Sequence, residues 1–342
     1  MALNKIGVIV NFVHPLLPPE NVKEIILSKS FALAEIIRSK SFSFPIGDIR
    51  GDMFYIEHNS DNFTIIDCYL KDGDDASCRK DEILKEIKRK RDIKTITRFI
   101  STHPHNDHFL GIEELDKQAK ITNFYAVANE LPKNPEDVSL TKYIELRDQK
   151  NFPIEKGISR KWLNESDAVR RGSGINFLWP DIKNDEYNKA LEAIKDGGNP
   201  NAISCVFTYR TENATYMWMG DMESAMQDVF FKSEEVYIPS VDVLFHPHHG
   251  RKSSAPSKKL LEKLNPKIIV IGNAPADDLN YDDPDKTITQ NKAGDIVFLN
   301  EQNTIHIYTK NEYTEVPKCL EKLLSKTNDA EYGYYIGSLI LN

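Results

Sequence analysis

The sequence lacks any hydrophobic run as long as the roughly 20 apolar residues that a membrane-spanning helix requires. We therefore expect no passage across a bilayer and no membrane partner. A cleavable secretory signal is also not expected, because the first apolar stretch is interrupted by Asn11 and has little positive charge before it. Only four of the 342 residues are cysteines, and none has CxxC spacing. This spacing argues against a disulfide framework and a cysteine zinc knuckle, and it favours a reducing, cytoplasmic location.

The sequence has no excess of positive charge. Lys and Arg total 44 against 52 Asp and Glu, which gives a formal net charge of -8. Proteins that coat long nucleic acids usually present a basic face, because binding releases counterions. The charge balance weighs against extended duplex binding, but not against a small anionic substrate held by metal ions. Hydrophobic residues make up 40% of the chain, which is enough for a folded core.

Strand-like and helix-like segments alternate irregularly along the chain. Runs rich in β-branched and aromatic residues predict strands at 6–13, 53–57, 63–67, 95–102, 203–210, 215–220, 241–246, 267–272, 295–299 and 303–309. Apolar residues at helical spacing predict helices at about 78–91, 185–195, 222–232 and 256–264. Some adjacent strands are joined by short polar turns and others by helices. The pattern therefore predicts an α/β fold in which helices cover mixed sheets.

Three segments need a separate interpretation. Residues 129–172 are polar and rich in Lys, Glu, Asn and Arg, and we expect an insertion or a lid there rather than core. After residue 312, the sequence predicts a helix around 316–325, followed by the apolar run YYIGSLIL. The basic run KEIKRKR at 85–91 lies on the polar side of a predicted helix. We interpret this run as solvated helix surface, with a track for nucleic acid as the alternative.

The histidines carry the strongest functional signal. Six of the nine fall in two short clusters, and the first cluster is STHPHNDHFLG at 101–111, directly after a predicted strand. Imidazoles two residues apart past a strand end can turn to the same side, so His103 and His105 are candidate ligands of one divalent ion. The adjacent Asp107 and His108 can face a second ion. Paired ions need a shared ligand, which must come from elsewhere in the chain.

Two later segments can complete such a site. In TYMWMGDMES a hydrophobic strand ends in a Gly-Asp pair, which makes Asp221 the candidate bridge between the ions. Taken alone, such a pair is more often a turn or a helix cap. The second histidine cluster is VDVLFHPHHG at 241–250. We assign His249 to the second ion and His248 to an unligated acid or phosphate contact, whereas His246 fits a structural role equally well.

The ordered set HxHxDH, then GD after a strand, then HHG after another strand resembles the metallo-β-lactamase superfamily of metallohydrolases. Within it, the chain is similar to the soluble nuclease-type domain of the bacterial DNA-uptake protein ComEC and its stand-alone relatives. The similar motifs are GDIRGDMFYI at 47–56, FTIIDC with Asp67 as an early structural aspartate, NAISCVFTYR with TYMWMGDME, and SVDVLFHPHHGRKSS. The resemblance implies an αββα sandwich, with two mixed β-sheets flanked by helices. It implies a hydrolase domain over 1–312 and a C-terminal extension over 313–342.

The chain departs from the superfamily pattern in two places. No histidine lies between HxHxDH and GD, where many members have a further metal ligand, and the resemblance places Asn201 near that point. A first ion would then be held by His103, His105 and Asp221 only, and we expect it to bind more weakly than the second. Farther on, LNYDDP has Asp283 where the ComEC-like group has a histidine. We therefore do not expect a substrate contact through a histidine there.

Two divalent ions that share a water molecule lower its pKa and hold it as a nucleophile, so hydrolysis is the expected reaction class. Zn²⁺ is the expected metal and Mn²⁺ the alternative. The RKSS run after the HHG turn can begin a cationic, donor-rich rim, although such a run is also typical of a solvated turn. The candidate catalytic residues are Asp107 and His248; the metal ligands are His103, His105, Asp107, His108, Asp221 and His249; and the substrate-binding residues are Asn201, Arg251, Lys252, Ser253 and Ser254.

These features favour a metal-dependent phosphodiesterase or nuclease acting on DNA, RNA or a nucleotide. A metallohydrolase of a thioester, lactone or acyl-amide is the first alternative, because the same ions would activate those bonds. A non-catalytic binding or regulatory module with a structural metal is the alternative from another class. By resemblance only, the chain is expected to act in bacterial antiviral defence or DNA processing, with a regulatory protein partner. No oligomeric state follows from the sequence.

Overall fold

The computed structural model describes residues 35–40, 51–58, 62–71, 74–91, 95–166, 172–281 and 283–341. Its strands are β1 (Glu35–Ser39), β2 (Phe54–Glu57), β3 (Phe63–Ile66), β4 (Cys68–Tyr69), β5 (Thr95–Ile96), β6 (Arg98–Ser101), β7 (Phe109–Leu110), β8 (Lys120–Ile121), β9 (Phe124–Ala126), β10 (Asn151–Pro153), β11 (Ile175–Trp179), β12 (Val206–Arg210), β13 (Thr215–Trp218), β14 (Val243–Phe245), β15 (Ile268–Ile271), β16 (Thr287–Thr289), β17 (Ile296–Glu301), β18 (Thr304–Thr309) and β19 (Tyr334–Ile340). Its α-helices are α1 (Asp74–Arg91), α2 (Ile112–Gln118), α3 (Val138–Lys150), α4 (Asp185–Ile194), α5 (Ser224–Lys232), α6 (Lys258–Leu264) and α7 (Gln290–Ala293). Short 3₁₀ turns lie at Asn106–His108, Pro200–Ile203, His248–Gly250, Lys252–Ser254 and Ala276–Asp278.

Two mixed sheets organise these elements. One has nine strands in the order β10-β9-β6-β3-β2-β1-β17-β18-β19, and the other has six in the order β11-β12-β13-β14-β15-β16. In the larger sheet β3, β6, β9 and β10 are parallel neighbours, whereas β1 pairs antiparallel with β2 and β17. In the smaller sheet β13 to β16 are parallel and β11 to β13 antiparallel. The predicted α/β fold class with two mixed sheets is confirmed.

Buried aromatic side chains fill the space between the two sheets. Phe54 of β2 packs against Trp218 of β13 and Phe245 of β14, with ring centroids 5.9 and 4.9 Å apart. Trp218 also stacks on Phe245 at 4.4 Å. Such ring pairs add to the free energy gained from apolar burial. The inner faces of the two sheets therefore form one core, as in a sandwich.

A second buried cluster lies on the other face of the nine-stranded sheet. Successive side chains of a strand point to opposite faces, and in β6 Phe99 joins this outer cluster while Ile100 joins the core between the sheets. The helices covering this face are α1 through Ile83 and Ile87, α2 through Leu115, and α3 through Tyr143. The helices α4, α5 and α6 contribute Tyr187, Phe230 and Leu260 to the core that contains the six-stranded sheet.

Most predicted elements are present, with small shifts at their ends. The helices predicted at about 78–91, 185–195, 222–232 and 256–264 correspond to α1, α4, α5 and α6. The strand predicted at 95–102 is divided into β5 and β6, and the strand predicted at 6–13 lies outside the described residues. Within the described ranges, none of the helices is both long enough and apolar enough to cross a membrane.

The helix predicted around 316–325 is wrong. Its backbone forms turns, and Glu321 exchanges two hydrogen bonds with Ser338 of β19, at 2.9 and 2.8 Å. Leu320 contacts the core, but Leu324 is fully exposed, so the apolar spacing does not mark a helical face. The apolar run that follows forms β19, which pairs antiparallel with β18. The large sheet therefore continues past the predicted end of the hydrolase domain.

The polar segment at 129–172 contains α3 and the edge strand β10. Tyr143 of α3 is fully buried, and its ring packs against Phe109 at 4.8 Å and Phe124 at 5.3 Å. This part of the segment belongs to the core, contrary to our expectation. Its polar composition reflects the other side of α3, where residues such as Glu145 are exposed. For the rest of the segment, an insertion or a lid stays a prediction.

Candidate metal centre

Three loops meet at one edge of the sandwich, where β6, β13 and β14 end. The loop after β6 carries His108, the loop after β13 carries Asp221, and the loop after β14 carries His249. His108 Nε2 lies 3.3 Å from Asp221 Oδ1, and His249 Nε2 lies 3.4 Å from Asp221 Oδ2. Ligands from both sheets therefore converge on the Asp221 carboxylate, as the positions of the three motifs predict.

Four of the predicted ligands form a compact group. One donor atom from each of Asp107, His108, Asp221 and His249 lies within 4.8 Å of the others, and all but Asp107 are buried. His249 Nε2 is 3.5 Å from Asp107 Oδ2. Separations of 3.3 to 3.5 Å are long for charged hydrogen bonds. They match the distance of about 3.3 Å between two ligand atoms that each bind one tetrahedral zinc ion at about 2.0–2.1 Å.

The buried donor atoms of this group and of the neighbouring His103 have no hydrogen-bond partner. They include both carboxylate oxygens of Asp221 and the Nε2 atoms of His103, His108 and His249. A buried polar atom left unpaired costs about 1–3 kcal/mol. A divalent cation would satisfy several of these atoms at once, because carboxylate oxygen and imidazole nitrogen are common ligands of zinc and manganese. The residues present therefore fit a metal centre.

Asp67 orients two of the histidines from behind. It accepts hydrogen bonds from the Thr102 amide at 2.8 Å, the Thr102 hydroxyl at 2.6 Å and His108 Nδ1 at 2.8 Å. Because a carboxylate only accepts, His108 carries its proton on Nδ1, and in the neutral ring Nε2 is free to bind a metal. Thr102 Oγ1 also lies 3.1 Å from His103 Nδ1. The proton of the Thr102 hydroxyl points to Asp67, so Oγ1 accepts a hydrogen bond from His103 Nδ1–H. Nε2 of His103 is therefore also free to bind a metal.

The carboxylates of the centre are ionised, whereas its histidines differ from one another. Burial opposes a charge on His108 and His249, but Asp221 and the other nearby carboxylates outweigh burial and raise the pKa of both rings well above the usual value. Burial alone would raise the pKa of Asp221, but His108, His249 and His103 outweigh it and hold this pKa well below its usual value. Burial also opposes ionisation of Asp107, and the neighbouring His108 and His249 again lower the pKa. For His103, burial lowers the pKa well below its usual value, with a further contribution from His108. Two carboxylates are therefore ionised beside a neutral imidazole, which is the form that binds metal.

The predicted first-ion ligands are arranged more loosely. His103 is fully buried, with Nε2 3.9 Å from Asp221 Oδ2. His105 is about half exposed, and its Nδ1 lies 3.4 Å from Asp107 Oδ1. The ring centroids of His103 and His105 are 5.8 Å apart. The structure thus gathers the predicted second-ion ligands closely and leaves His105 at the rim.

His248 and His249 occupy a strained turn. Both have φ in the left-handed region, at 52° and 56°, which is uncommon for residues other than glycine and occurs often at functional sites. The amide of His248 donates to the Gly220 carbonyl at 3.0 Å, which ties this turn to the Gly-Asp turn. Gly220 itself has φ of 52°, and an added Cβ would lie 3.0 Å from Thr102 Cβ. Close packing of all three loops depends on that missing side chain.

His248 faces the same centre without joining the compact group. Its Nε2 lies 3.7 Å from Asp221 Oδ2, and its Nδ1 lies 3.0 Å from Ser254 Oγ. Burial lowers the pKa of His248 and outweighs the opposite effect of Asp221, so the ring is neutral near pH 7. Ser254 is fully buried. Its hydroxyl therefore positions His248 through Nδ1. Ser254 does not lie on the exposed substrate-binding rim, contrary to our expectation.

The other predicted substrate-binding residues differ in exposure. Lys252 and Ser253 are exposed, and Lys252 Nζ donates to the Asp277 carbonyl at 2.7 Å. Arg251 is mostly buried; its Nη1 lies 3.6 Å from an Asp278 oxygen, while Nε and Nη2 have no hydrogen-bond partner. A further position, Asn201, is buried at the turn before β12, and its side-chain oxygen also has no hydrogen-bond partner.

Two other segments from the sequence analysis lie outside the cluster. Asp283, which stands where the ComEC-like group has a histidine, accepts from the Asp285 amide and the Thr287 hydroxyl in the turn before β16. The basic residues Lys85 and Lys88 are exposed on α1. This helix connects parallel strands β3 and β6, so its C-terminal end lies at the sheet edge opposite the metal centre. The exposure of these lysines and the position of the helix end favour solvated surface over a nucleic-acid track into the site.

Sequence reasoning did not identify two residues that shape the centre. Thr102 connects Asp67 to His103, and Ser204 Oγ accepts from the Asp221 amide at 3.1 Å. Thr102 stands inside the first histidine motif, so its place beside a ligand was a usable signal. Ser204 lies far from Asp221 in the chain, and only the pairing of β12 with β13 brings them together.

A helix-flanked pair of mixed sheets with histidine and aspartate ligands at the strand ends defines a metallohydrolase class of fold. The model of the metallo-β-lactamase superfamily matches residues 47–273, about two thirds of the chain. The chain belongs to this superfamily, whose fold typically binds metal ions.

Several solved structures are similar to the chain at low sequence identity. A diphosphatase from the PhnP family is 14% identical, with 78% of this chain and 98% of that chain covered and a TM-score of 0.40. The metallo-β-lactamase fold protein YhfI from Bacillus subtilis is 10% identical, with 78% and 100% covered and a TM-score of 0.43. The metallo hydrolase Igni18 from Ignicoccus hospitalis is 14% identical, with 78% and 100% covered and a TM-score of 0.42. Comparison with curated proteins gives no match.

Proposed function

We propose that the protein is a metal-dependent phosphodiesterase or nuclease that cleaves DNA, RNA or a nucleotide. The observation that carries the proposal is the buried group of unpaired carboxylate and imidazole atoms at the loop junction. Two divalent ions are expected there, with Zn²⁺ as the metal and Mn²⁺ as the alternative. The residues that would hold them are His103, His105, Asp107, His108, Asp221 and His249.

When bound, such ions supply an activated water as nucleophile and neutralise charge on phosphoryl oxygens. The chain itself contributes orientation. Asp67 and Thr102 fix the rings of His103 and His108, and Asp221 stands between the two predicted ligand sets. Asp107, ionised and partly exposed, adds negative charge that favours a divalent cation at the entrance.

His248 is the residue that we assign to the reacting phosphate. Its ring is neutral and partly exposed, and its Nδ1 is held by the Ser254 hydroxyl. When that hydroxyl donates to Nδ1, the remaining proton is on Nε2, which faces the centre. This N–H can donate to a phosphoryl oxygen as negative charge develops there, or to the leaving oxygen.

Phosphate is supported over a carboxylic substrate by the residues after the HHG turn. Arg251 Nε and Nη2 lie on the same edge of the guanidinium group and have no protein partner. These two parallel donors suit two oxygens of a phosphate, and because both atoms are buried, a phosphate would reach them only after the side chain turns towards the site. Lys252 adds exposed positive charge nearby. The acidic net charge and the remote position of the α1 basic run favour a short or single-stranded substrate over a long duplex.

The closer kinship and the biological setting rest on the ordered motifs. We propose that the chain is a relative of the ComEC-like nuclease domain and acts in bacterial defence or DNA processing. A cytoplasmic location and a regulatory protein partner belong to the same proposal. Described cysteines Cys68 and Cys205 are buried and unpaired, which is in keeping with a reducing compartment.

The test is a hydrolysis panel with metal-free protein to which zinc or manganese is added. The substrates are bis(p-nitrophenyl) phosphate, single- and double-stranded DNA, RNA, cyclic nucleotides and a thioester. We expect metal-dependent phosphodiester cleavage, and we expect Asp107→Ala and His249→Ala to abolish it because each removes a ligand. The exposed Asp228→Asn variant, on α5, is the control.

Activity that survives in both ligand variants would contradict the mechanism. Cleavage of the thioester alone would support the carboxylic alternative. Zinc binding without hydrolysis of any substrate would support the non-catalytic module. Phosphodiester cleavage that is lost in both ligand variants and kept in Asp228→Asn supports the proposal.

A further inference from the structure

A carboxylate outside the predicted ligand set stands behind His249. Asp52, two residues before β2, places its Oδ1 3.1 Å from His249 Nδ1, although the angle is not that of a hydrogen bond. The Asp52 side chain is only 14% exposed. The other nitrogen of the same ring, Nε2, faces Asp107 and Asp221. The two nitrogens of His249 therefore have separate surroundings: ligand atoms on one side and Asp52 on the other.

The backbone leaves room for this contact. Gly272, directly after β15, lies against both residues: an added Cβ would be 3.1 Å from Asp52 Oδ1 and 3.1 Å from His249 Cα. These distances are tighter than ordinary carbon contacts. A side chain at residue 272 would push against the carboxylate and the histidine together. Three separate segments of the chain thus meet to place Asp52 at the ring.

The placement of Asp52 resembles that of Asp67 at His108, where the contact is a hydrogen bond. There, Asp67 lies behind Nδ1 at 2.8 Å while Nε2 faces Asp221. A carboxylate behind a metal-binding imidazole fixes the ring and its tautomer and raises the basicity of the ligand nitrogen. Substitution of such a partner typically weakens metal affinity by about 10–100-fold.

We propose that Asp52 is a positioning residue of the metal centre, which holds His249 with Nε2 directed at Asp107 and Asp221 and thereby sets the affinity of the second ion. The inference rests on the metal centre of the proposed function and not on its reaction. Asp52 and Asp67 then act as a matched pair, one behind each buried histidine of the compact group.

The test measures zinc affinity of the full chain by competition with a chromophoric chelator, together with thermal unfolding of the metal-free protein. We expect Asp52→Ala to raise the dissociation constant of the tighter zinc site about 10–100-fold. Asp52→Asn should have a smaller effect, because the amide keeps the size of the side chain and an oxygen beside Nδ1 but removes the negative charge. Asp228→Asn makes the same chemical change on the exposed side of α5 and should bind zinc as the wild type does.

Gly272→Ala is the second variant, since it separates Asp52 from His249 while keeping both side chains. It should also weaken zinc binding, which keeps the proposal testable if Asp52→Ala does not fold. The proposal is overturned if the Asp52 variants bind zinc with wild-type affinity, or if the metal-free wild type takes up no zinc. It is also overturned if affinity falls only as far as a lower melting temperature explains.

The zinc-affinity test does not depend on catalytic activity. A wild-type protein that binds zinc tightly but cleaves no phosphodiester would overturn the proposed function and leave the role of Asp52 standing. A wild-type protein that cleaves phosphodiesters, together with an Asp52→Ala variant of unchanged zinc affinity, would support the proposed function and overturn the role of Asp52.

Discussion

Hydrogen-bonding groups behind the histidines decide which ring nitrogen faces the metal centre. Asp67 accepts from His108 Nδ1, and Thr102 Oγ1 accepts from His103 Nδ1, so both Nε2 atoms are directed to the same place. Their positions come from the left-handed Asp67, at φ of 54°, and from the end of β6. The precision of the site thus depends on residues that bind no metal themselves.

At the residue scale, the metal ligands could be predicted from the sequence, whereas the residues that orient those ligands could not. His103, His105, Asp107 and His108 lie within six residues after a strand, so their convergence follows from local geometry. Asp52 meets His249 only because β2 and β15 are brought together by the fold. A contact between such distant segments follows no fixed spacing in the sequence, so it could not be predicted.

Ser254→Ala tests the positioning of His248. The variant removes the hydroxyl that holds Nδ1 at 3.0 Å and leaves the ring free to rotate. We expect kcat for bis(p-nitrophenyl) phosphate to fall about tenfold, a part of the roughly 10²–10⁴-fold that a positioned proton donor contributes. KM should change little, because the metal ligands stay in place.

Steady-state kinetics measure kcat and KM separately, with the exposed Ser240→Ala variant as control. Ser254→Thr keeps the hydroxyl and should restore part of the rate. An equal loss in the threonine and alanine variants would show that packing, and not the hydrogen bond, is what His248 requires.

Pairing between neighbouring elements was easier to predict than pairing between distant ones. The turn between β12 and β13 is closed by the Thr211 amide donating to the Ala214 carbonyl at 2.9 Å, and its polar residues mark it in the sequence. The strand β19 gives no such signal, because its partner β18 precedes a long segment of turns. Glu321 bonds to Ser338 instead of continuing a helix, so tertiary pairing overrides helical spacing there.

Tyr143→Ala tests the assignment of α3 to the core. The ring is fully buried between Phe109 and Phe124, and its removal should cost about 3–5 kcal/mol of unfolding free energy. Urea denaturation followed by tryptophan fluorescence measures this change. Tyr237→Ala, at a side chain that is 78% exposed, is the control and should change stability by less than about 0.5 kcal/mol. Similar midpoints for both variants would mean that α3 does not pack on this sheet.

At the scale of the whole molecule, the centre joins the two sheets. His103, His105, Asp107 and His108 follow β6 of the larger sheet, whereas Asp221 and His249 follow β13 and β14 of the smaller one. Loops connect the two sheets at this edge, while aromatic rings such as Phe54 and Trp218 pack between the sheets in the interior. A cation bound here would connect the layers at a point where the core ends.

Zinc should therefore stabilise the folded chain against global unfolding. A ligand that binds only the native state adds about 2.7 kcal/mol when its free concentration is 100 times its dissociation constant. Thermal unfolding in zinc and in excess chelator measures the difference. Asp221→Ala, which removes the carboxylate shared by both ligand sets, should lose most of the zinc-dependent shift. A shift that persists in this variant would place the stabilising ion elsewhere on the protein.

The left-handed backbone at His248 and His249 has a consequence for the stability of the chain. Glycine adopts that conformation without steric penalty, so a sequence optimised for durability alone would place glycine at both positions. Imidazoles stand there instead, at a conformational cost of about 1–3 kcal/mol each. The turn therefore gives up native-state stability at two successive residues whose rings face the Asp221 carboxylate.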